Sequence, residues 1–153
     1  MLKTIRLLFS FYKNFAFASL TLSVSFSLKR IFQDFNLEFD LFEKAFPAFS
    51  FKYNFKLSSL SVGERMLLEV YMVIRAKTQF VILDEPFSHI MPLHIEKIQE
   101  ILLEEKQNKG ILISDHMFRQ ITDISDDLYV LKDGKTHLTK SLNEIEELGY
   151  ARI

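Results

Sequence analysis

The chain has 153 residues, a formal net charge of −1, 48% apolar residues and 25% charged residues. That is one domain by length, large enough for a proper core, and its near-neutral charge gives no basic field to recruit nucleic acid or anionic lipid. With no cysteine, disulfides, thiolate catalysis and cysteine-based zinc sites are excluded.

The amino-terminal stretch allows three readings. Residues 14–28 carry no charge, but Ser19, Thr21, Ser23, Ser25 and Ser27 interrupt them too often for a membrane helix, which needs about 20 apolar residues. A signal peptide has some support: Lys3 and Arg6 precede an apolar run, and Ala16-Phe17-Ala18 resembles a cleavage site. Lys13 breaks that run. The third reading is a half-buried strand, because Leu20, Leu22, Val24, Phe26 and Leu28 alternate with hydroxyl residues. The strand is the favoured reading.

Thirteen of the sixteen phenylalanines lie before residue 56. Residues 28–56 read as short helices whose phenylalanines mostly form core. Asp40 with Glu43 suggests a capping box before Leu41, Phe42 and Phe46, and Pro47 ends that helix.

From Ser61 the pattern becomes α/β. Ser61 and Glu64 form a capping box at the start of a helix carrying Met66, Leu67, Val70, Tyr71 and Ile74. A strand spans 80–83. Pro92 suits the first turn of a helix running to about Gln107, with Ile95, Ile98 and Leu102 on one face. A strand over 111–114, a helix near 117–125 and a hairpin over 128–138 follow. Ser141 and Glu144 then cap a short helix ending at Gly149. Alternating strands and helices imply a parallel sheet, with the functional site at the strands' carboxyl ends.

Phe80-Val81-Ile82-Leu83-Asp84-Glu85-Pro86 is the most informative stretch. A buried strand explains its four apolar residues. It does not explain two adjacent carboxylates, which repel each other and resist desolvation. A cation or polar substrate compensates such a pair: one carboxylate holds Mg²⁺ while the other takes a proton from water. The helix opened by Ser61 offers free N–H groups and a dipole that attract an anion.

Leu60-Ser61-Val62-Gly63-Glu64, then the 80–86 strand, then Ile111-Leu112-Ile113-Ser114-Asp115-His116 occur in this order, with Ser61 23 residues before Asp84 and His116 32 after it. Together they resemble the ATPase cassette of the ABC family, where they are the signature motif, the Walker B strand and the switch histidine. The resemblance covers about residues 57–140. It implies ATP and Mg²⁺ as cofactors. Asp84 would hold Mg²⁺ through its water shell, Glu85 would orient and deprotonate the attacking water, and His116 would hydrogen-bond the γ-phosphate. Ser61, Gly63 and Glu64 would face the γ-phosphate of ATP held by a second cassette, and Ser88 matches the family's D-loop serine. There are departures: Val62 replaces a usual glycine, Glu64 the commoner glutamine, and Met91 the D-loop aspartate. Gln33, the only glutamine before the signature, is not assigned to the family's Q-loop. His89, His94 and His137 show no metal-ligand spacing and read as surface residues.

The resemblance implies a truncated P-loop NTPase-like parallel sheet flanked by helices, with a Phe-rich helical segment before the signature. The expected divisions are a divergent start at 1–27, a helical subdomain remnant at 28–60, an ATPase core at 61–140 and a short helix at 141–153. No glycine occurs in the first 62 residues, so a phosphate-cradling GxxxxGK[ST] loop is missing where the family has one. Gly134-Lys135-Thr136 does not supply it, since Tyr129 stands five residues before Gly134 and Asp133-Gly134 fits a hairpin turn. An ABC-type ATP-binding protein with little hydrolysis of its own is therefore expected. The alternatives are a non-catalytic module lending a signature half-site to a partner cassette, and a gene fragment without function. The resemblance further implies a second cassette as partner, as homo- or heterodimer, and a transmembrane permease where the cassette serves transport. It implies a cytoplasmic location, peripheral on the inner face of the membrane.

Overall fold

A computed structural model describes residues 15–17, 25–139 and 141–149. The chain forms two compact units, one up to Met117 and one from Phe118.

The first unit opens with β1 (Phe15–Phe17). Leu20, Leu22 and Val24 of the expected strand, and Lys3, Arg6 and Lys13 of the signal-peptide reading, lie outside the described residues. Leu28 departs from the strand expectation. It begins helix α1 (Leu28–Phe35), because the Ser27 hydroxyl accepts the Arg30 N–H at 3.3 Å and caps the helix. Leu28, Ile31 and Phe32 recur at helical spacing and are buried.

Helix α2 (Phe39–Ala45) follows, with Glu38 at its cap position. Asp40 is therefore inside the first turn and not the cap the sequence suggests. There it still complements the helix dipole. Pro47 opens a 3₁₀ turn over Pro47–Phe49.

These short helices bury their rings around Phe42. Its ring lies 5.3 Å from Phe32, 5.2 Å from Phe46, 4.7 Å from Phe49 and 4.8 Å from Tyr71. Tilted and edge-on contacts of this kind add to the area term. Tyr71 belongs to α3 (Val62–Arg75), so the aromatic cluster fixes the Phe-rich segment onto that helix. His94 also joins it, edge-on to Phe46 at 5.7 Å. It is half-buried, not the plain surface residue expected.

The sheet of this unit has the order β1-β2-β3, all parallel, with β2 (Phe80–Asp84) paired to β1 on one side and to β3 (Gly110–Ser114) on the other. Helix α4 (Pro92–Glu105) connects β2 to β3. The register pairs Leu83 with Ile113 and Asp84 with Ser114, so both strands end level.

At the other end, α3 and α4 are tied by charge. Arg75 donates to Glu104 at 2.8 Å and to Glu105 at 2.7 Å. Lys109, almost wholly buried, pairs with Glu105 and donates to the Ile74 and Ala76 carbonyls at 2.8 and 2.9 Å. It thereby satisfies orphan carbonyls at the end of α3. Burial alone raises the Glu105 pKa, but the hydrogen bonds from Lys109 and Arg75 outweigh it and hold the carboxyl below its usual range.

The second unit holds α5 (Phe118–Thr122), the antiparallel hairpin β4 (Leu128–Lys132) and β5 (Lys135–Thr139), and α6 (Leu142–Glu147). Helix α5 is shorter than the 117–125 expected. Asp133 and Gly134 both take positive φ, 51° and 73°. That is the type I′ geometry whose twist suits a two-residue hairpin. Gly134 is thus a turn glycine, as its spacing indicates. Ser141 accepts the Glu144 N–H and caps α6. No helix among the described residues is long and apolar enough to cross a membrane.

Candidate functional site

The level ends of β2 and β3 build the site. Asp84 is the last residue of β2, and its Oδ1 accepts the Ser114 hydroxyl at 2.5 Å. The Glu85 N–H donates to the Ser114 carbonyl at 2.7 Å, which carries the pairing one step past the strands. The chain then turns sharply. Glu85 has φ 48°, in the left-handed region, where a side chain other than glycine costs about 1–2 kcal/mol.

That turn aims the Glu85 carboxylate at the β3 side. Glu85 Oε1 lies 3.6 Å from His116 Nδ1, and Oε2 accepts the Ser88 hydroxyl at 3.4 Å. Glu85 and His116 are 59% and 64% exposed, so both stand open to a ligand. The structure brings Glu85, Ser88 and His116 together, with Asp84 bonded to Ser114 at the adjoining strand ends.

Asp115 was not singled out by the sequence. Its side chain is fully buried. It accepts the Phe87 N–H at 3.1 Å and the Met117 N–H at 2.8 Å. No local pattern marks it, since an aspartate after a strand reads as a turn residue.

Ser61, Gly63 and Glu64 sit together at the amino end of α3. The Ser61 hydroxyl accepts the Glu64 N–H at 3.2 Å and Glu64 Oε2 accepts the Ser61 N–H at 2.9 Å, completing the capping box. Lys52, from the loop after the aromatic helices, pairs with Glu64 Oε1. Burial raises the Glu64 pKa, but hydrogen bonds from Lys52 and the Ser61 backbone outweigh it and leave it lowered. Lys52 was missed because its partner is twelve residues away and the pairing is tertiary. Replacing Ser61 with alanine is expected to cost about 1 kcal/mol of stability, read from the urea midpoint.

The α3 end meets the other cluster through one backbone contact. A Cβ on Gly63 would lie 2.7 Å from the His89 carbonyl oxygen, so the glycine lets the helix start rest on the loop that follows Glu85. The two clusters are neighbours joined through residues 85–89. Met91, at the D-loop aspartate position, is exposed and precedes Pro92 at the start of α4.

Among the described residues no group of three His, Asp or Glu side chains converges as a metal cage. The site fits Mg²⁺ in another way. Asp84 is an exposed carboxylate at a strand tip, oriented by one hydroxyl, and Mg²⁺ commonly takes one or two carboxylates with water and phosphate oxygens. A cavity of about 480 Å³ lies elsewhere, lined by Arg75, Glu105 and Lys109 among others. Those three charges are already tied to one another.

No protein-family model matches the chain. It is 36% identical over 88 residues to the lipopolysaccharide export system ATP-binding protein LptB of Acidithiobacillus ferridurans, covering 57% of this chain and 36% of that protein. It is 27% identical over 120 residues to the galactose/methyl galactoside import ATP-binding protein MglA of Clostridium perfringens, covering 76% of this chain and 23% of that one. The chain thus spans about a third or less of the length of these relatives. Among solved structures, an ATP-binding subunit of an ABC transporter matches with TM-score 0.67 and 20% identity over 90% of this chain and 63% of that one. A cobalt transport ATP-binding protein matches with TM-score 0.61 and 20% identity over 82% and 51%. These two show the shared fold. The chain is therefore similar, over part of their length, to the ABC ATP-binding cassettes.

Proposed function

We propose that the chain binds Mg²⁺-ATP at the tips of β2 and β3 and lends the amino end of α3 to ATP held by a second cassette. The observation that carries this is Glu85 lying 3.6 Å from His116, next to Asp84 at the strand end, with a capped helix start touching the loop that follows Glu85. Bound Mg²⁺ would neutralise phosphate charge, and Asp84 is the residue suited to hold it. Glu85 takes the proton from a water that attacks the γ-phosphorus. The new O–P bond replaces the bond to the β-phosphate oxygen, so ADP and phosphate leave. His116 donates to the γ-phosphate. The free N–H groups and dipole of α3 suit the phosphate of the partner's nucleotide.

Hydrolysis by this chain alone is slow in this reading. Its 153 residues contain no GxxxxGK[ST] loop, and such a loop supplies much of the transition-state charge compensation. A turnover of about one per second, abolished by Glu85→Gln, contradicts that. Second cassette, permease, cytoplasmic placement and transport belong to the same reading, supported by what the relatives are.

Calorimetry of the purified chain with ATP tests the binding step. Mg²⁺ should tighten ATP, and Asp84→Asn should remove that gain by about tenfold or more. Mixing the chain with an intact cassette should raise ATPase activity, and Ser61→Arg should remove the rise. If neither effect occurs, the chain provides no half-site.

A further inference from the structure

We propose that Asp115 is a positioning residue that holds Glu85 and His116 in place beside each other. This rests on the Mg²⁺-ATP reading above. The carboxylate is fully buried, and burying a charge is costly unless it is well hydrogen-bonded. It is bonded to two backbone N–H groups with a particular placement. Phe87 lies two residues after Glu85, and Met117 directly follows His116. One side chain therefore grips the backbone just past each of two reactive side chains.

The grip opposes a defined relaxation. Glu85 is held at φ 48° and His89, four residues on, at φ 64°. Neither is a glycine, so each tends to return to negative φ. On the upstream side the loop is held by Glu85 N–H to the Ser114 carbonyl. On the downstream side the Phe87–Asp115 bond holds it. Asp115 itself is not exposed to a ligand. Its distance to His116 Nδ1 is 3.6 Å, too long for a hydrogen bond. It acts on the site through backbone, not through contact with ligand.

The test uses the whole chain with Asp115→Ala and Asp115→Asn. Two quantities are read: amide hydrogen exchange at Phe87 and Met117, and affinity for Mg²⁺-ATP against Mg²⁺-ADP. ADP lacks the γ-phosphate that His116 meets in the reading above, so the preference for ATP reports the placement of His116. Asp115→Ala should open both amides and reduce that preference by about tenfold, the scale of second-shell losses. ADP affinity should stay nearly unchanged. Asp115→Asn keeps one acceptor oxygen and should recover part of the preference. Should Asp115→Ala fail to fold, Asp115→Asn carries the comparison, with an intermediate preference expected. Opened amides with an undiminished ATP preference overturn the proposal, leaving Asp115 a structural residue only. A wild-type chain with protected amides and no ATP preference instead overturns the Mg²⁺-ATP reading, and this role with it.

Discussion

Replacing Gly63 with alanine is expected to lower the stability of the first unit and to separate α3 from the 85–89 loop. Two effects compete. Alanine is the better helix former by about 1 kcal/mol, and Gly63 lies within α3. Against this, the new Cβ would sit 2.7 Å from the His89 carbonyl oxygen, a backbone atom. A flexible side chain could swing aside; this carbonyl cannot, because His89 is already held in the left-handed region. Forcing an atom into a packed contact costs about 1–3 kcal/mol, so the clash wins.

Thermal and urea melts of Gly63→Ala should therefore show a loss of about 1–2 kcal/mol. Hydrogen exchange should quicken at residues 87–90. The rise in a partner cassette's ATPase should disappear, because the helix start is no longer held against the His89 backbone. A variant as stable as the parent would show that the contact relaxes freely. Val62 makes the contrast: the family usually has glycine there too, but Val62 is 57% exposed. A side chain at 62 points into solvent, which explains why that departure is tolerated while the second glycine is kept.

The same contrast shows what the sequence discloses. The strand over 80–83, the helix opened by Ser61 and the helix opened by Pro92 were legible because each carries its own period, cap or proline. The pairing of Asp84 with Ser114 follows from two parallel strands that both end in polar residues. What was not legible depends on partners far along the chain. Lys52 reads as an ordinary surface lysine until the aromatic cluster turns it toward Glu64. Asp115 reads as a turn residue until the 85–89 loop covers it. β1 spans three residues, too few to show a period, and the serine-alternating run after it drew the strand expectation past Ser27, where a cap starts α1 instead. Asp40 with Glu43 has the spacing of a capping box, yet the helix starts two residues earlier, with Glu38 at the cap position and Phe39 in the ring cluster, 5.1 Å from Phe32.

Glu69 should make the fold less stable as pH rises from about 4.5 to about 7. It lies half-buried on α3, and burial pushes its carboxyl up to about 7, with Arg65 one turn earlier pulling only weakly the other way. In the unfolded chain it titrates near 4.5. Below that pH the carboxyl is protonated in both states and its burial costs little. Between the two values the unfolded chain releases the proton while the folded chain keeps it, so each rise in pH favours unfolding. Above about 7 both states are ionised and the penalty stays constant, at about 2–3 kcal/mol after allowance for partial exposure. Glu69→Gln should remove this slope, matching the parent near pH 4.5 and exceeding it by that amount at pH 8. Urea midpoints at the two pH values decide it: parallel curves mean Glu69 is solvated. Glu64 works in a different window. Its pKa is lowered, so its contribution is present above 4.5 and is lost only as pH falls through the depressed value. Acid loosening of the α3 cap and the Glu69 slope are therefore separable in one titration, and Lys52→Gln should shift the first without touching the second.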